Sequence, residues 1–233
     1  MQIAYFVFLI RMKFCDYWHW AVYWFKRLIS PPFCIKCRVY LDDYHVLCSE
    51  CLKLIRPVIS KDLRLNAHVK LTILAVSEYR DPLKSLVLYK FKNNLSFAVQ
   101  LAQIIWTLSN LKNIEFDYLV PIPLHWTRKL WRGFNQSEVI AEELSKLSGK
   151  PVLNCLKRIK RTQYQASLNA DERQKNVSKA FQLKDSILKQ DMEGKIFVLV
   201  DDIMTTGSTL ESAAKELLKY KPQALYAIVA CRV

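Results

Sequence analysis

Phe197-Val198-Leu199-Val200-Asp201-Asp202-Ile203-Met204-Thr205-Thr206-Gly207-Ser208-Thr209-Leu210 is the stretch on which the fold of this chain turns. Its first four residues are apolar and read as a buried strand that the two adjacent carboxylates end. A Thr/Gly/Ser turn follows and opens into the helical pattern Leu210-Glu211-Ser212-Ala213-Ala214. Strand, polar loop and helix in this order make a phosphate cradle. At a helix start the backbone N–H groups of Thr205 to Thr209 have no partner within the helix, and the helix dipole adds positive potential there. The Thr and Ser hydroxyls supply further donors, and Gly207 lets the backbone approach the anion closely. Asp201 and Asp202 are too close to a phosphate to bind it themselves, and suit sugar hydroxyls or a hard cation such as Mg2+. The expected ligand is a sugar phosphate accompanied by a metal ion.

A hydrophobic run, two acids and Thr-Thr-Gly-Ser-Thr resemble the 5-phosphoribosyl 1-pyrophosphate (PRPP) motif of type I phosphoribosyltransferases. The GK[ST] ending of a Walker loop is missing, which argues against ATP hydrolysis. The segments leading to the motif alternate between strand-like and helical patterns, the signature of a parallel sheet. Strands are expected at 71–79, 118–122, 152–156, 196–200 and 224–231. Helices are expected at 82–91, where Asp81 is the cap, and at 97–111, 137–147 and 208–220. Ligands of such a sheet bind at the carboxyl ends of its strands.

Two segments fall at those ends. Pro121 to Ser137 reads as a long basic loop, PIPLHWTRKLWRGFNQS, ending in a polar helix cap; Arg128, Lys129 and Arg132 are its candidates for binding pyrophosphate or another polyanion. Trp126, Trp131 and Phe134 are interleaved with those cations, so they either stack bases of single-stranded DNA or pack in the core. The second segment runs from Lys157 through Gln165 and on through Asp171 to Val177. It is polar and aperiodic, either a solvated loop or a hood that closes over a polyanion with Arg161 and Arg173.

With 35 Lys+Arg against 21 Asp+Glu, the formal charge of +14 favours polyanionic partners: nucleic acid, phosphorylated metabolites or an anionic membrane surface. The stretch from Pro121 to Ala180 holds twelve Lys or Arg against five acids, half of the net charge in a quarter of the 233 residues. Met1 to Ile10 is apolar but too short to span a bilayer, and it lacks the basic flank and cleavage site of a secretory signal. Met12 is an alternative start. Tyr17 to Ile29 reads as an aromatic helix for a membrane interface or for packing on protein.

Cys34-x2-Cys37 and Cys48-x2-Cys51 are two knuckles whose spacing suits four thiolates around structural Zn2+, in a stretch too short to build a core unaided. Four thiolates leave no open position, so the zinc is a folding element. Disulfides compete for the same cysteines. The odd total left by Cys15, Cys155 and Cys231, and the missing signal, favour a reducing cytoplasm. His45, between the knuckles, is a bystander once the thiolate set is complete.

The double CxxC, PIPLHW…R…RGFNQS, RTQYQASL, ERQKNV…AF and VLVDDIMTTGSTL occur in the order found in the ComF/GntX family, so the resemblance spans about residues 30 to 233. It implies an α/β fold: a type I phosphoribosyltransferase-like parallel sheet flanked by helices, with a small N-terminal zinc ribbon. The implied organisation is an apolar and aromatic extension at 1–29, a zinc-ribbon module at 30–60 and a phosphoribosyltransferase-like domain at 61–233. It also implies a role in natural competence and the use of incoming DNA, with PRPP and Mg2+ bound by Asp201, Asp202, Thr205, Thr206, Gly207, Ser208 and Thr209. Arg128, Lys129 and Arg132 carry over by loop position only. Partners implied are single-stranded DNA and competence proteins such as a helicase or channel, in the cytoplasm or at the inner membrane face. If the chain turns over, Asp201 and Asp202 are the catalytic carboxylates, stabilising positive charge on the ribose as pyrophosphate leaves for a nucleobase or amine.

Overall fold

The computed structural model describes residues 33–42, 46–88, 96–160, 180–184 and 190–233; for Ser96, Trp131, Arg132 and Gln190 it describes the backbone alone. The extension with Tyr17 to Ile29, both candidate starts, His45 and the hood residues Arg161 and Arg173 lie outside the described residues. The chain divides into two compact units, Met1–Cys48 and Ser49–Val233.

In the second unit a short helix α1 (Ser49–Lys53) precedes strands β1 (Lys61–Arg64) and β2 (Lys70–Glu78). Helices α2 (Leu83–Leu88) and α3 (Ser96–Leu108) lead to β3 (Tyr118–Pro121), and then come α4 (Trp126–Arg132) and α5 (Gln136–Ser148). A hairpin pairs β4 (Leu156–Arg158) with β5 (Phe181–Leu183). The chain ends with β6 (Ile196–Met204), α6 (Ser208–Leu217), a 3-10 turn at Leu218–Tyr220 and β7 (Ala224–Arg232).

The sheet order is β1-β2-β7-β6-β3. Every pairing is parallel except β1 with β2, so the expected parallel sheet carries an antiparallel edge. That edge strand, Lys-Asp-Leu-Arg, is short and largely exposed, which discourages further strand addition. Leu71, Ile73, Phe197, Leu199, Leu225, Ala227 and Val229 point to one face, where they bury Leu210, Ala213, Ala214 and Leu217 of α6 together with Leu156 and Phe181 of the hairpin. Alternation turns Val76, Val198, Val200 and Ile228 to the opposite face, toward the paired helices α3 and α5.

Three expectations are corrected. The strand does not end at Val200: β6 continues through Asp201 and Asp202 to Met204, because β7 runs alongside it to Arg232. β3 stops earlier, at the pairing of Pro121 with Val200, so the carboxylates sit on a stretch hydrogen-bonded on one side only. The basic loop contains a helix, α4, capped by His125 and closed by Gly133 at φ 76. The strand expected at 152–156 reduces to one parallel bridge, Val152 with Leu119. Leu119 exchanges backbone bonds with Pro151 and Leu153, but Pro121 has no N–H for the next rung, and the chain turns away to pair with β5 instead.

Candidate functional site

The Thr205–Thr209 loop follows from where β6 stops. After Met204 the chain bends through Thr205 and Thr206 and enters α6 at Gly207, whose φ of 86 is a left-handed conformation that costs a side-chain-bearing residue energy. A Cβ at this position would lie 3.0 Å from Leu63 Cδ1 of the edge strand, so the glycine serves both the turn and a close approach. Gly207 contributes no side-chain cap to the first turn of α6. Thr206 supplies part of the order: its Oγ1 lies 2.9 Å from Ser208 Oγ and accepts from Ser208 N at 3.4 Å. Ser208 is buried, and Thr205, Thr206 and Thr209 are half-buried.

Asp201 and Asp202 are half-buried on β6, just before this loop. Asp201 Oδ1 accepts from the Asp202 amide at 2.9 Å and from Ser137 Oγ at 3.0 Å. Ser137 stands on the first turn of α5, in the sequence Asn135-Gln136-Ser137, all three buried. Asn135 fixes that turn: its Oδ1 accepts from Ser137 N at 3.3 Å, and its Nδ2 donates to the Ile122 carbonyl just past β3 at 2.9 Å. The start of α5 thus lies against the side of β6 that β3 leaves open. Sequence reading found Ser137 only as a helix cap; its carboxylate partner, 64 residues on, carried no local signal.

Arg158 is the other residue that sequence reading passed over, grouping it with the hood. It lies on β4 opposite Phe181, with its guanidinium carbon 5.3 Å from the ring centroid. Burial disfavours its charge most, nearby Arg128 disfavours it further, and the carboxylate of Asp201 favours it. Two arginines therefore share one neighbourhood with Asp201, a setting that attracts an anion.

Of the other candidates, Arg128 is half-buried on α4. Lys129 is exposed and donates to Glu138 Oε2 at 2.8 Å. Arg132 ends α4 with its side chain outside the description, and Arg161 and Arg173 lie outside it altogether. The structure thus brings together Asp201, Asp202, the Thr205–Thr209 loop, Ser137, Arg128 and Arg158.

The four cysteines form a separate centre. The Sγ atoms of Cys34, Cys37, Cys48 and Cys51 lie within 4.8 Å of one another. Cys37 and Cys48 are 3.7 Å apart, far beyond a disulfide bond but near the separation of about 3.8 Å that tetrahedral S4 ligation at zinc-like bond lengths demands. The Cys48 amide donates to Cys34 Sγ at 3.5 Å, and Arg38 takes φ 65 at the turn of the first knuckle. Burial raises the Cys34 thiol, but the backbone amides of Cys37, Cys48 and Lys36 outweigh it and bring the thiol down to about 6. A cluster of this kind can hold a soft or borderline metal ion.

Comparison with known proteins agrees with the geometry. Residues 92–233 match the family "Phosphoribosyl transferase domain". Competence protein F of Haemophilus influenzae is 31% identical over 201 residues, covering 83% of this chain and 82% of the relative. DNA utilization protein YhgH of Salmonella typhimurium is 30% identical over 217 residues, covering 82% and 93% respectively. Competence protein ComFC of Bacillus subtilis is 29% identical over 183 residues, covering 76% and 68%. Among the described residues no helix is long and apolar enough to cross a membrane.

Proposed function

This chain belongs to the phosphoribosyl transferase domain family, among its ComF competence and DNA-utilisation members, and from that membership we propose that it binds PRPP with Mg2+ during the uptake and use of incoming DNA. The observation that carries the reading is the succession of oriented carboxylate, hydroxyl-lined turn and helix start from Asp201 to Ser208. The amides at the start of α6, with Thr205, Thr206, Ser208 and Thr209, hold the 5-phosphate. Asp201, turned by Ser137, and Asp202 face the ribose hydroxyls. Arg128 and Arg158 favour the pyrophosphate end through their charge, with Lys129, Arg132, Arg161 and Arg173 as further cations of the same segments. Magnesium, when bound, neutralises pyrophosphate charge, and Asp201 and Asp202 offer the hard oxygen ligands it prefers.

Turnover is the second reading: the same carboxylates stabilise charge on the ribose ring as pyrophosphate departs toward a nucleobase or amine. The Cys34, Cys37, Cys48 and Cys51 centre is assigned to structural Zn2+, which needs no open ligand position. The reading retains an extension at 1–29, a zinc ribbon at 30–60 and a phosphoribosyltransferase-like domain at 61–233. The reading places the protein in the cytoplasm with competence proteins such as a helicase or channel, and Tyr17 to Ile29 is a segment either for packing on protein or for contact with the inner membrane face.

Calorimetric titration of the full chain with PRPP and Mg2+ tests binding: saturable heat that Asp202→Asn abolishes supports it, and no heat from the folded protein refutes it. Pyrophosphate release with a panel of bases and amines decides turnover.

A further inference from the structure

The hairpin of β4 and β5 breaks its own pattern at one position. Leu156 pairs with Leu183 and Arg158 with Phe181, so alternation sets these residues on one face and Lys157 and Gln182 on the other. Leu156, Phe181 and Leu183 are buried with Leu210, Ala213 and Leu217 of α6, and Arg158 stands where the same face calls for another apolar residue. A charge placed there costs free energy that a leucine or valine would not. An arginine stem covers apolar surface no better than a lysine stem, but the guanidinium plane also suits an aromatic ring. The Arg158 guanidinium lies over the Phe181 ring, its carbon 5.3 Å from the centroid. That platform is fixed: Phe181 is 2% exposed, and beside it the Ile159 amide donates to the Ala180 carbonyl at 2.8 Å.

Charges from two other elements reach the guanidinium. Asp201 on β6 attracts it and Arg128 on α4 repels it. We propose that Phe181 is a positioning residue: its ring holds the Arg158 guanidinium toward Asp201 and Arg128, so that both arginines take the pyrophosphate of the ligand and the site favours a pyrophosphate-bearing sugar over one carrying the 5-phosphate alone. This rests on the reading of the chain as a PRPP-binding protein. The pyrophosphate turns the repulsion between the arginines into attraction of each for the anion, and the guanidinium fork matches its paired oxygens. The Ala180-Phe181 end of the ERQKNV…AF stretch thereby gains a task beyond filling the core.

The test is calorimetric titration of the full metal-loaded chain, with Mg2+ present, by PRPP, inorganic pyrophosphate and ribose 5-phosphate. Phenylalanines bearing one, two and three ring fluorines, placed at position 181 alone, weaken the negative face of the ring while barely changing its shape. Affinity for PRPP and for pyrophosphate should fall stepwise along this series, by about fivefold at the trifluoro ring, the scale of one partly buried cation–π contact. Phe181→Leu should lose at least as much. Ribose 5-phosphate affinity should stay constant along the fluorinated series. In an Arg158→Met background, which keeps an apolar stem and removes the guanidinium, the fluorines should have no effect. A PRPP affinity that ignores the fluorines overturns the proposal and leaves the PRPP reading intact. Parallel loss of ribose 5-phosphate affinity, which would make Phe181 a support for α6 alone, overturns it too, as does a fluorine effect that persists in Arg158→Met. Absence of PRPP heat while pyrophosphate binding still follows the fluorines refutes the PRPP reading and leaves the Phe181 arrangement standing. Absence of heat from PRPP and pyrophosphate alike overturns both.

Discussion

Ser137 Oγ donates to Asp201 Oδ1 across 3.0 Å, tying the first turn of α5 to the carboxylate that precedes the Thr205–Thr209 loop. Two distant segments, one after β3 and one at the end of β6, are joined by this bond. It forms because β3 stops at Pro121 while β6 runs on to Met204, so a helix start takes the place of a neighbouring strand.

Removing that donor should leave the fold and disturb the ligand. Ser137→Ala should weaken PRPP binding by about 1.5–3 kcal/mol, the usual scale for a hydrogen bond to a charged group. Ser137→Thr, which keeps the hydroxyl, should restore part of it. Calorimetry alongside thermal melting checks both, and unchanged affinity in Ser137→Ala would show that Asp201 is oriented by other means.

Gly207→Ala meets two obstacles: a left-handed backbone and the Leu63 methyl 3.0 Å from the new Cβ. Stability should fall by about 1–2 kcal/mol, with PRPP affinity reduced because the loop shifts. Leu63→Ala added to Gly207→Ala should relieve the contact and leave the backbone strain, so the double variant should recover only part of the loss. Denaturant midpoints of the three variants decide the split.

Stripping metal with a strong chelator should yield about one zinc per chain by elemental analysis, as four-thiolate sites hold a single ion. The chelated protein should melt at a lower temperature, and Cys37→Ser should do the same without chelator, because such sites supply folding free energy. A protein that loses no stability on losing its metal would contradict a structural role for the cysteines.

Cys155 is buried under the sheet, and that burial pushes its thiol up to about 12 from an ordinary 9.0. The native state therefore keeps a proton that the unfolded chain gives up. This contribution to stability is complete below about pH 9 and is lost as pH rises toward about 12. Subtracting the pH profile of Cys155→Ala from that of the wild type should isolate a decline in that window. A flat difference would mean that the thiol is less buried than its position indicates.

The strand–loop–helix succession from Phe197 to Leu210 and the two cysteine knuckles were legible because their chemistry is local. Thr206 with Ser208, Gly207 at its turn, and Cys34 with Cys37 are a few residues apart, so chain geometry brings them together whatever the rest does. The major strands and helices were legible through their periodicity. The length of β6 was not: Asp201 and Asp202 look like a strand end, and only the neighbour β7 keeps them in the ladder. The short helix α4 was hidden because its caps, His125 and Gly133, act within a stretch whose charges dominate its composition.

By itself, the amino-acid order determined a strand–loop–helix turn preceded by two acids, and two cysteine pairs, since residues a few positions apart share one local backbone. Only the tertiary structure decided that Ser137 turns Asp201, that Arg158 and Arg128 gather beside it, that Leu63 closes on Gly207, and that Trp126 faces outward. Those outcomes depend on which strand ends first and which helix face finds a neighbour. Both are settled when distant segments pack and their backbone groups pair, not by the residues on either side.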